Sequence, residues 1–185
     1  MITAHWGKGA PYNNMCPMDG DERSVTGCTA TAMAQVMHYY KWPITPVGPL
    51  PDYTTKTKKI AVEALPATSF KWDKMKDNYA ADETGESADA VAELMRFCGQ
   101  AVEMDYKASS SGANVWAAHM IDIFGYSKTA QDVRRQYYNT KEWEAMMYKE
   151  MKEGRPVLYC AFSGDGGHEF IIDGYDDKGL FHVNW

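Results

Sequence analysis

Cys28 sits where the texture of the chain changes. The loop-forming stretch before it ends at Val25-Thr26-Gly27, and from Thr29 to Tyr40 there is neither Gly nor Pro. A thiol at the first turn of a helix lies near the positive end of the helix dipole, which favours the nucleophilic thiolate. Gly27, Ala30 and Ala32 are small and leave the approach uncrowded. A lone helical cysteine is more often a buried core residue; the loop-to-helix junction sets Cys28 apart. A nucleophilic thiol needs a base. Of the five histidines, His5 belongs to a terminal loop, and His38 and His119 fall within helices as ordinary surface or core groups. His168 differs, because the Gly-rich loop 163–167 delivers it to the first position of a strand. It follows Cys28 by 140 residues, within the roughly 130–150 that separate nucleophile and base in one class of thiol enzyme. Asn184 follows His168 by 16 residues, so their midpoint is residue 176, inside an expected turn. Residues equidistant from a hairpin turn face each other. That puts the Asn184 amide level with His168, where it could orient the imidazole as in a Cys-His-Asn triad. His182, two residues nearer the turn, reads as a structural or subsite residue.

These side chains need elements to hold them. The chain has 185 residues, 45% apolar and 24% charged, which suits one globular domain with a core and argues against disorder. With 19 basic and 25 acidic residues the net charge is −6, which argues against a general nucleic-acid binder. No apolar run approaches the roughly 18–20 residues of a membrane span. The opening Met1-Ile2-Thr3-Ala4-His5-Trp6 lacks the basic start and apolar run of a signal peptide.

The first 25 residues read as loop. Met33, Val36, Met37 and Tyr40 fall at helical spacing and predict a helix over 29–40, stopped by Pro43. Further helices are expected over 87–98, with Val91, Leu94, Met95 and Cys98 on one face, over 113–124, and over 141–152. A short helix is expected over 58–65 and a short strand over 102–106. After Gly154 the period changes. Residues 156–162 read as a strand buried on both faces, and 168–175 with 180–185 as a hairpin. Helices first and antiparallel strands last give an α+β class. The domain spans 1–185, with a helical lobe mainly over 24–153 and a sheet lobe over 154–185. Ending in mid-strand at Trp185 suggests that the C-terminal part of the domain is missing.

Several segments together carry a family resemblance. Val25-Thr26-Gly27-Cys28-Thr29-Ala30-Thr31-Ala32-Met33-Ala34-Gln35, with Tyr39-Tyr40-Lys41-Trp42-Pro43, resembles the nucleophile segment of the streptopain family of cysteine peptidases. Gly167-His168-Glu169-Phe170-Ile171-Ile172-Asp173-Gly174-Tyr175 resembles its histidine segment, and Phe181-His182-Val183-Asn184-Trp185 the start of its Asn-Trp-Gly-Trp segment. The opening Trp6-Gly7-Lys8-Gly9-Ala10-Pro11-Tyr12-Asn13 is similar to the family's mature N-terminus, particularly in its interpain-like members. The resemblance implies a papain-like fold, secretion as a zymogen whose N-terminal prodomain inhibits it, and endopeptidase activity on protein or peptide substrates. It implies Trp185 as a shield over the His-Asn pair, and an apolar preference two residues before the scissile bond.

The expected chemistry is an acyl-thioester on Cys28, with His168 as general base and acid and Asn184 orienting it. The Cys28 backbone N–H at the helix start is the natural oxyanion donor. The second donor in the family is a Gln, and Lys8 stands in its place here. No metal or organic cofactor, nucleic acid or membrane is expected, and the chain is expected to be a monomer. Two alternatives remain: an impaired papain-like binding module, given Lys8 and the missing end, and a thiol acyl- or amide-transferase. Cys98 and Cys160 read as core, and Cys16 as either reactive or disulfide-linked.

Overall fold

The computed structural model describes residues 1–164 and 166–185. Within the stretch expected to be loop, β1 (Met18–Asp19) and β2 (Glu22–Arg23) form a small antiparallel hairpin. The chain then reaches Gly27, whose φ of 85° lies in the left-handed region. A Cβ there would stand 2.8 Å from Met104 Sδ and 2.9 Å from the Ser111 carbonyl oxygen. Only glycine satisfies both conditions, so Gly27 sets the entry angle of the helix that follows. Gly27→Ala should lower stability by about 2–4 kcal/mol, from backbone strain and overpacking together. A urea unfolding curve with an unshifted midpoint would contradict this.

Helix α1 (Cys28–Tyr40) follows, and every residue from Thr29 to Met37 is buried. A helix buried on all sides belongs at the centre of a fold. It ends as Lys41 turns left-handed, with φ 48°, and donates its N–H to His38 O. β3 (Tyr53–Thr54) and β4 (Ala61–Val62) then pair antiparallel. The helix expected over 58–65 is therefore absent. Lys59 takes a left-handed φ of 55°, Leu50 and Leu65 exchange both backbone hydrogen bonds, and Val47 pairs with Thr68. Long-range pairing overrides a weak helical pattern.

Helix α2 (Glu86–Ala101) carries Glu86 and Asp89 in its first turn, where the dipole favours acids. Its face of Val91, Leu94, Met95 and Cys98 is fully buried as expected. The strand expected over 102–106 reduces to one bridge, Asp105 with Gly112. Helix α3 (Ala117–Asp122) is shorter than expected, because Trp116 is still extended and its N–H donates to His119 Nδ1. Helix α4 (Thr140–Lys152) opens on a reciprocal cap, Asn139 Oδ1 accepting from Glu142 N and Glu142 Oε2 from Asn139 N.

Three strands close the chain in the order β5 (Val157–Ser163), β6 (Gly166–Tyr175), β7 (Phe181–Asn184), all antiparallel. Asp165 of the expected loop lies outside the described residues; Ser163 ends β5 and Gly166 opens β6. β5 is not buried on both faces as its apolar run suggested. It is an edge strand, half-buried over 157–159 and exposed from Cys160 to Ser163. α1 packs between α2 and β6, so the central helix meets the sheet directly. α4 lies against β6 too, where Met147, Phe170 and Ile172 form a second apolar cluster. Helices packed on an antiparallel sheet make the α+β class expected from the sequence.

Candidate active site

The mouth of α1 presents Cys28 half-buried at its first position. No side chain caps this helix end and no acid lies in its first turn. The backbone donors there face the site under the positive end of the dipole. On the far side, β6 brings its backbone to the thiol: Glu169 N–H donates to Cys28 Sγ at 3.4 Å. Cys28, His168 and Glu169 border one cleft of about 290 Å³, walled by 109–114 and by Cys160, Phe162 and Gly167. The 109–114 wall is tied in place: Ser111 Oγ donates to Val25 O at 2.7 Å and Thr29 Oγ1 to Ala113 O at 2.8 Å. Another hollow, of about 300 Å³, borders Ile2, His38 and Trp72 and includes no cysteine.

Lys8 borders the same cleft. Its carbonyl accepts from Thr26 N at 3.0 Å, and Trp6 N donates to Gln35 Oε1 at 3.1 Å. These two bonds lay the N-terminal segment along the start of α1. Lys8 also reaches the imidazole electrostatically. The His168 pKa lies below its ordinary value, first because burial strips water from the imidazolium and second because of the Lys8 charge.

His168 is half-buried and is the third residue of β6, not the first; it faces Ala161 of β5. The Trp185 ring stacks on it, with centroids 5.7 Å apart and planes 13° apart. Phe170 packs against Trp185 at 4.9 Å and stands 6.1 Å from the imidazole. Asn184 is not level with His168. Its partner is Ile171, and its buried amide donates to Ala4 O at 2.8 Å. Among the described residues no hydrogen bond joins it to the imidazole. The register differs because the turn centres on Lys178 and not on residue 176, with Tyr175 opposite Phe181; the extra residue Asp173 in β6 shifts it by one residue in the opposite sense. The Asp173 carboxylate accepts from Ile2 N at 2.5 Å and bonds His182 Nδ1 at 2.6 Å. His182 is thereby a structural partner.

Two further histidines, His38 and His119, have structural positions. His38 packs on Trp6 at 4.8 Å, with burial lowering its pKa, and His119 caps α3. Cys160 is a correction: it is exposed and borders the cleft. Burial and the Glu169 carboxylate push its thiol up to about 11. Cys16 is free and buried, pushed up to about 12, and Cys98 is buried as expected. Sequence reasoning passed over Glu169, although an acid beside His168 at the head of an apolar strand was a visible signal. It also passed over 109–112, which wall the cleft ahead of the helix expected over 113–124.

The sequence and the fold are both similar to those of known proteins. The peptidase C10 family matches residues 6–185. The thiol protease/hemagglutinin PrtT of Porphyromonas gingivalis is 33% identical over 184 residues, 97% of this chain and 21% of that protein. Streptopain of Streptococcus pyogenes is 32% identical over 202 residues, 98% of this chain and 50% of that protein. The solved structure of active wild-type interpain A, a Prevotella intermedia cysteine protease, superimposes with a TM-score of 0.88 at 36% identity. It covers 100% of this chain and 79% of that one. A prointerpain A fragment matches equally well, over 60% of its length. The chain thus spans between a fifth and a half of the curated relatives it matches.

Proposed function

The chain belongs to the peptidase C10 family, and from that premise we propose that it is the catalytic domain of a secreted cysteine endopeptidase. The observation that carries the reading is one cleft bordered by a thiol at an uncapped helix start and by a half-buried imidazole from the sheet. In this reading Cys28 Sγ attacks the peptide carbonyl carbon, and His168 takes the thiol proton. The imidazole then returns that proton to the leaving amine, and a Cys28 acyl-thioester remains. Water attacks the thioester carbon, its proton passing to His168; the C–S bond breaks, the carboxylic acid departs, and His168 returns the proton to the Cys28 thiolate. The Cys28 backbone N–H and the Lys8 ammonium serve as oxyanion donors. Trp185 supports the imidazole by stacking on it, whereas Asn184, whose Nδ2 donates to Ala4 O, lies level with Ile171 and not with His168. A pro-form among the similar solved structures supports an N-terminal prodomain as the inhibitory partner before maturation.

Lys8 favours a second reading, an impaired binding module, because a mobile ammonium replaces an amide with fixed N–H directions. Turnover of an unfolded casein-type protein, lost when one equivalent of iodoacetamide is attached at Cys28, is the expected result. Alkylation without any prior turnover would favour the binding module. Capture of the acyl group by an added amine in preference to water would favour a transferase.

A further inference from the structure

Two charged side chains border the cleft among the described residues, Lys8 and Glu169, and they form no ion pair with each other. Glu169 is buried to 7% exposure, yet among the described residues no Lys, Arg or His comes within ion-pair distance of its carboxylate. Its side-chain partner is the Cys160 thiol, directly across the strand pair. That thiol is a weak donor, and a charged donor would be the stronger partner for the carboxylate. Burial accordingly pushes the carboxyl above its ordinary value. A buried carboxylate without a cation is costly, and a cation brought into the cleft relieves that cost.

The position of Glu169 links it to the reacting atom. Its own N–H donates to Cys28 Sγ at 3.4 Å, so its Cα is one residue's reach from the thiol. A peptide held for attack by Cys28 must lay neighbouring side chains along the cleft that Glu169 borders. The facing wall is held by Thr29 and Ser111, so the hollow is already formed.

We propose that Glu169 is a specificity-determining residue that makes the cleft select a basic side chain, Lys or Arg, on the acyl side of the scissile bond. This deepens the cysteine-peptidase reading and rests on it. It runs against the apolar preference implied by the family resemblance. An incoming guanidinium supplies paired donors to a carboxylate that has only a thiol, in a partly desolvated hollow where a charge-assisted bond counts most.

The test uses peptide aminocoumarin amides in which each of three positions before the scissile bond carries Arg or Leu. Matched peptidyl chloromethyl ketones are read by mass for alkylation of Cys28, which needs occupancy of the cleft but no turnover. At one position Arg should exceed Leu by about 10-fold or more in kcat/KM and in alkylation rate. Glu169→Gln, close to isosteric and neutral, should collapse that ratio, whereas Glu169→Asp, which keeps the charge, should retain most of it. The ratio is unaffected by a general loss of activity in either variant. Arg-selective alkylation without amide hydrolysis would sustain the inference while defeating the peptidase reading. An Arg-to-Leu ratio unchanged by Glu169→Gln, a preference for Leu at all three positions, or no alkylation by either ketone would overturn it.

Discussion

Cys28→Ala is expected to lower kcat/KM on a peptide amide by about 10⁵–10⁶-fold, the scale of removing a nucleophile from a cooperating pair. No other thiol can substitute. Cys16 and Cys98 are buried, and burial raises the pKa of both. Cys160 borders the same cleft, but its thiol is pushed up to about 11. At neutral pH a thiol with that value is thiolate in roughly one molecule per 10⁴, so it is a poor nucleophile. Cys160→Ala should therefore cost far less than Cys28→Ala, an effect through the Glu169 wall and not through bond-making. The check is a pair of kcat/KM measurements with circular dichroism to confirm folding. Equal losses in the two variants would mean that the nucleophile has been misassigned. Mass mapping after brief iodoacetamide treatment gives an independent reading, with Cys28 carrying the first label.

The parts of this site that were legible in the sequence are those set by local rules. α1 and α2 carry apolar residues at helical spacing and are bounded by Gly27, Lys41-Trp42-Pro43 and Gly85, so they stood out. The change to strand period after Gly154 was equally plain. What failed depended on the exact centre of one turn and on partners distant in the chain. Counting back from residue 176 placed Asn184 opposite His168, but the hairpin centres on Lys178, where Asp176 Oδ1 accepts from Lys178 N and Leu180 N. The one-residue bulge at Asp173 is a separate irregularity that nothing local announces, because one of its partners is the backbone of Ile2, 171 positions away. Cys160 was misread for a related reason. An apolar run looks the same whether a strand is central or at an edge, and only the sheet order puts β5 at the edge.

The second large effect expected is at His168. His168→Ala should lower kcat/KM by about 10⁴–10⁶-fold, since attack and leaving-group departure both route a proton through this ring. The pH profile separates a proton-transfer role from a packing role under Trp185. Burial first, and Lys8 second, hold the imidazole below its ordinary value near 6.5. The ring is therefore neutral at pH 7, able to accept the thiol proton, and becomes charged only at lower pH. Activity dependent on the neutral ring should be present at neutral pH and decline as pH falls through that lowered value. Lys8→Gln removes the cationic contribution and leaves burial in place. The titration should then move up toward 6.5 without reaching it, and the acid limb of kcat/KM should move with it. Ring-proton NMR of His168 reads the titration directly, and the rate profile reads its consequence. In His168→Ala the residual rate should lack this limb altogether. A profile unchanged by His168→Ala, or a His168 titration that ignores Lys8→Gln, would leave the imidazole as part of the stack under Trp185 and no part of the chemistry.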